Sequence, residues 1–113
     1  MPDFHHDPLN NGNSNGGGDL LSIGELSRAT GLSMLASLKQ EFGELDRVKS
    51  WLKALGFVNC ADGFDATPAV INGFSDLILE LWGDAGRHAR SAIGASELPF
   101  GMPVEVEAIV ELA

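Results

Sequence analysis

The sequence predicts an α+β sandwich in which two helices pack on one face of a mixed sheet. Two apolar stripes of helical period, over residues 22–42 and 67–82, supply the helices, and a strictly alternating stretch, Val104–Leu112, supplies the clearest strand. Helices and strands interleaved over so short a chain leave little choice but to cover a single sheet.

At 113 residues the chain is one small domain, and such a chain hides roughly two-thirds of its unfolded surface, so its core is modest and self-assembly is a natural recourse. Seven basic residues stand against sixteen acidic ones, a formal charge of −9 with no basic run. That charge repels a phosphate backbone and argues against nucleic acid as a partner. One cysteine, Cys60, rules out an intrachain disulfide and fits a reducing compartment. With neither an apolar run of about 20 residues nor a signal-peptide pattern, a soluble cytoplasmic protein without membrane contact is expected.

Residues 1–19, MPDFHHDPLNNGNSNGGGD, read as a flexible polar tail, since they carry too little apolar surface to offset the entropy of ordering. Two adjacent imidazoles there, His5 and His6, fall short of a metal site, and no metal is expected. Residues 20–113 form the domain. In the first helix Ile23, Leu26, Ala29, Thr30, Met34, Leu35, Leu38 and Phe42 recur at spacings of three and four. Ser22 with Glu25 fits a capping box, and Gly43 a C-terminal stop.

Residues 47–59 read as a strand with Val48, Leu52 and Ala54 on one face and Trp51, Leu55 and Phe57 on the other. Apolar residues on both faces suggest a central strand, or one covered by a second chain, and Gly56 a bulge or a close backbone approach. After the loop CADGFDATP, Thr67-Pro68 opens the second helix, proline suiting the first helical turn. Its stripe is Val70, Ile71, Phe74, Leu77, Ile78, Leu81 and Trp82, and Gly83 to Gly86 end it. The strands Ala89–Ala95 and Val104–Leu112 follow, joined by SELPFGMP, which is too long for a tight hairpin.

In the last strand Val104, Val106, Ala108, Val110 and Leu112 share one face, and Glu105, Glu107, Ile109 and Glu111 the other. The plain reading of the second face is solvated and acidic. Arg90, opening a strand of small residues, offers a planar fork of donors suited to a carboxylate, and a nearby glutamate is a candidate proton shuttle. Arginine with glutamate fits an enzyme of small carboxylates and equally a plain salt bridge. His88 reads foremost as a loop histidine at the preceding helix end, and Arg87 as a helix-dipole partner.

The order Ala89-Arg90-Ser91-Ala92-Ile93, Leu98-Pro99 and Val104-Glu105-Val106-Glu107-Ala108-Ile109 resembles the C-terminal signature of the RidA/YjgF family. The likeness extends through GELDRVKSWLKALGFVNCADGF, PAVINGFSDLILELWG and GRHARSAIG, and is to the branch labelled YjgF-like endoribonuclease or chorismate-mutase-like. The resemblance implies a chorismate-mutase-like fold and a homotrimer whose three sheets form a central barrel, with ligand clefts between subunits. It further implies hydrolysis of imines or enamines derived from amino acids to 2-oxo acids and ammonia. On that pattern Arg90 clamps the substrate carboxylate, Glu105 positions or activates water, and Asn72 lies near the site. Ala92 stands where imine-hydrolysing members often carry cysteine. Two or three strands usually precede the first helix, where this sequence has its polar segment. Cys60 reads as packing.

The leading expectation is therefore a RidA-like deaminase that uses no cofactor, since no phosphate-cradling motif is present. A non-catalytic trimeric binder of small carboxylates is the alternative, favoured by Ala92. The family's endoribonuclease label conflicts with the charge, and chorismate mutase activity lacks a visible basic cluster.

Overall fold

The computed structural model describes residues 20–113. Their order is α1 (Leu20–Phe42), β1 (Val48–Asn59), α2 (Thr67–Trp82), β2 (Ala89–Ala95) and β3 (Val104–Leu112), with short 3-10 turns at Leu45–Arg47, Gly83–Gly86 and Pro99–Gly101. The expected tail, with His5 and His6, lies outside the described residues. As the patterning predicts, two helices pack on a mixed three-stranded sheet. Its order is β2-β1-β3, with β1 parallel to β2 and antiparallel to β3. The parallel pair requires a crossover, and α2 supplies it.

The core lies between sheet and helices. Trp51, Val58, Val70, Ile71, Phe74 and Ile78 are almost wholly buried, and Trp51 meets Phe74 and Trp82 edge-on. Gly56 is the close approach its place in a strand suggested. A Cβ there would lie 2.6 Å from Ile71 Cδ1, so α2 settles on the bare backbone of β1.

Two expectations about β1 and α1 are corrected. Register shifts fall between Val48 and Ser50 and between Trp51 and Lys53. Each inserts an extra residue and reverses the alternation, so Trp51 joins Val48, Ala54 and Val58 in the core while Leu52 is half exposed. Helix α1 begins at Leu20, which places Ser22 inside it and not at a capping position. The predicted stripes also include two exposed residues, Ala29 and Leu81. The stop at Gly43 is present, its φ of 88° allowing its N–H to reach the Lys39 carbonyl at 2.8 Å.

The helices touch through small residues. A Cβ on Gly73 would fall on the Gly24 carbonyl. That closeness lets the buried Ser27 hydroxyl reach into α2, donating to the Val70 carbonyl at 2.5 Å and accepting from the Phe74 N–H at 2.9 Å. Cys60 packs in the core, where burial pushes its thiol pKa up.

Candidate functional site

The register divides the sheet into two faces. Arg90, Ala54 and Ala108 form one row across the helix-covered face, and Ala92, Gly56 and Val106 the next. Ile93, Phe57 and Glu105 form a row on the open face. Arg90 and Glu105 therefore sit on opposite faces of one sheet and on its two opposite edge strands. Within one chain they form neither a common site nor a salt bridge.

Arg90 is instead joined to α2. Asn72 and Ser75, three apart, lie on one side of that helix. The Arg90 Nη1 donates to Asn72 Oδ1 at 2.9 Å and to Ser75 Oγ at 3.2 Å. Behind Ser75 stands His88, its Nε2 3.0 Å from Ser75 Oγ and its Nδ1 2.6 Å from the Gly86 carbonyl. The ring also lies edge-on to Phe74. His88 thus does hold the turn that ends α2, as its position suggested, while its other nitrogen serves the arginine side.

These groups line a cavity of about 720 Å³, bounded by Asn72, Ser75, Asp76, Leu79, Gly83, Asp84, Arg87, His88 and Arg90. Its walls carry both signs of charge. Arg87 pairs loosely with Asp84, Nε to Oδ1 3.4 Å, in a local turn exposed to solvent. The two protons of Arg90 Nη1 are engaged, and among the described residues nothing occupies Nε–H or Nη2. That edge of the guanidinium is a side-on fork matching the two oxygens of a carboxylate.

Ala92 lies outside this cavity. Its side chain packs against the core and its carbonyl accepts from Thr67 Oγ1 at 3.0 Å. Glu105 lines a separate pocket of about 300 Å³ at the free edge of β3, with Thr30 and Ser33 of α1 and with Phe100 and Met102. Sequence reasoning passed over Ser75 entirely. The available signal was its spacing from Asn72 on α2, matched by the His88-x-Arg90 alternation on the chain leading into β2.

A family model described as "YjgF/chorismate mutase-like, putative endoribonuclease" matches residues 15–112. A curated protein of Trypanosoma cruzi, protein TCP17, is 47% identical over 87 residues, which span 76% of this chain and 54% of that protein. Among solved structures, protein Atu1372 of unknown function from Agrobacterium tumefaciens superposes with a TM-score of 0.79 at 38% identity, covering 84% of this chain and 60% of that one. A chain from Shewanella oneidensis MR-1 described as a putative endoribonuclease gives 0.76 at 32%, covering 82% and 62%. The chain thus spans about half the length of the curated relative and about three-fifths of each solved one. It carries the two-helix, mixed-sheet arrangement with the Arg90 strand and the Val104–Leu112 strand in order, and it belongs to the YjgF/chorismate mutase-like family.

Proposed function

We propose that this chain handles small carboxylate-bearing metabolites and hydrolyses reactive imine or enamine intermediates of amino acids to 2-oxo acids and ammonia. The observation that carries the reading is Arg90, which lines a cavity large enough for such a molecule and is anchored there through one nitrogen to Asn72 and Ser75, its remaining donors unpaired among the described residues. Ordering a guanidinium before the ligand arrives lowers the entropic cost of binding it. A bound carboxylate would present the adjacent imine carbon to water, and the proton transfers of hydrolysis need a nearby acid or base.

In this reading Glu105 takes that role from a neighbouring copy, because its own chain holds it on the other face of the sheet. The open face supports assembly. Ile93, Leu52 and Ile109 are 46%, 51% and 58% exposed, and β2 and β3 are both edge strands. Three copies closing their open faces on one another would bury these residues. A cytoplasmic location accords with the single free cysteine; no described helix is long and apolar enough to cross a membrane.

The second reading, a non-catalytic carboxylate binder of the same fold, is favoured by one observation: the cavity beside Arg90 lacks Glu105 within the chain. The charge of −9 weighs against RNA as substrate. Calorimetric titration with pyruvate and a direct assay of imino-acid hydrolysis test both readings. Arg90→Ala is expected to weaken pyruvate binding by about tenfold or more, the worth of a charge-assisted bond. Binding without hydrolysis selects the second reading, and wild-type-like binding by Arg90→Ala removes Arg90 from the site.

A further inference from the structure

The Arg90 guanidinium is held by a hydrogen-bond chain whose direction is set three residues away. The Gly86 carbonyl can only accept, so at 2.6 Å it fixes the proton of His88 on Nδ1. In the neutral ring Nε2 is then an acceptor. Among the described residues the one group hydrogen-bonded to it, at 3.0 Å, is the Ser75 hydroxyl, which directs its proton there. A serine inside a helix otherwise tends to donate back to the carbonyl four residues earlier; His88 takes that proton in its place. With its proton committed, Ser75 Oγ presents lone-pair density to Arg90 Nη1 at 3.2 Å, alongside Asn72 Oδ1 at 2.9 Å.

We infer that Ser75 and His88 are positioning residues for Arg90, forming a one-way relay from Arg90 through Ser75 and His88 to the Gly86 carbonyl that fixes which edge of the guanidinium is engaged and which is left for a ligand. The relay deepens the carboxylate-clamp reading and rests on it for its consequence in binding, though not for its existence. Bonds aligned in one direction strengthen one another. Ser75 is 8% exposed, so its hydroxyl has little access to water as a substitute partner. Asn72 is exposed and gives Arg90 a second anchor with no such backing. Ser75 and His88 touch the arginine side of the cavity without supplying the fork itself, and so act through Arg90.

Nitrogen-15 NMR of the full chain near neutral pH tests the relay without any ligand. Expected are a His88 ring protonated on Nδ1 and an Arg90 Nε–H as ordered as the surrounding backbone. Ser75→Ala should free that Nε–H to move and weaken pyruvate binding about fivefold to tenfold, the effect of one ordinary hydrogen bond lost from the anchor while Asn72 keeps the other. His88→Ala should do the same, while His88→Gln, whose amide oxygen can accept from Ser75, should restore most of the order. Thermal melts of each variant identify any that have lost the fold, and the wild-type tautomer decides the matter even then. A ring protonated on Nε2, or an Arg90 equally ordered in folded Ser75→Ala, overturns the relay. Absence of pyruvate binding in a wild type with the ordered relay would instead overturn the clamp.

Discussion

Ser27 shows how one small polar residue can set the geometry of a site it does not touch. Its hydroxyl lies between the Val70 carbonyl and the Phe74 N–H, groups four apart in α2, and Asn72 and Ser75 sit on that same turn and the next. Gly24 and Gly73 leave room for this contact, and larger residues would push the helices apart. Removing the hydroxyl lets the two α2 groups pair with each other, so the penalty is modest. Ser27→Ala is expected to cost about 1 kcal/mol, lowering the melting temperature by roughly 4–8 °C in a domain of this size. A calorimetric scan checks it. Nothing in the sequence marked Ser27, because a serine beside apolar neighbours on a helix reads as an ordinary polar position, and only the approach of α2 gives it partners.

At the scale of elements, patterning revealed most of the fold. The alternation in β3 held from Val104 to Val110 because that strand carries no extra residue, and fails only at its end, where Leu112 is exposed; both helices ended near the glycines that accommodate positive φ. Besides the start of α1, the misassignment fell on β1, where the bulges opposite β3 exchange the faces of Trp51 and Leu52. Bulges are properties of a strand pair, invisible in one strand taken alone. The candidate site was legible in part for the same reason. Arg90 and Asn72 could be singled out, whereas Ser75 acquires meaning only from the crossover that lays α2 beside β2.

The two helices are also clipped together at their outer rims by Arg28 and Glu80, whose guanidinium and carboxylate meet through two hydrogen bonds of 3.0 and 3.1 Å. The hydrogen bond from Arg28, with its charge, holds the Glu80 carboxyl below its ordinary pKa. A carboxyl with a depressed folded-state pKa binds its proton more readily in the unfolded chain. Its stabilising contribution is therefore present above the ordinary glutamate pKa and lost as pH falls through the lower, folded value. Both groups are exposed, so the effect is small and salt-sensitive. Glu80→Gln should reduce the melting temperature slightly at neutral pH and in low salt. The difference from wild type should vanish under strongly acidic conditions and shrink in concentrated salt. A persistent difference in acid would mean the loss comes from packing and not from the ion pair.

For the whole molecule, the governing fact is that Arg90 and Glu105 are divided by the sheet. Their rows lie three residues apart along the strands and two strands apart across them, roughly 10 Å in each direction before the change of face is counted. Any site that unites them is built by two copies, and the exposed Ile93, Leu52 and Ile109 mark where copies would meet. A carboxylate held by one chain and a proton shuttle offered by the next would make hydrolysis a property of the assembly. The most direct test mixes two variants, Arg90→Ala and Glu105→Ala, each expected to be inactive alone, after dissociating and reassembling them together. If the site is shared, randomly mixed trimers should recover roughly a quarter of wild-type imine hydrolysis, since one subunit junction in four then pairs an intact arginine with an intact glutamate. A mixture as inactive as its parents, from differently tagged variants shown by co-purification to have exchanged subunits, would contradict the account.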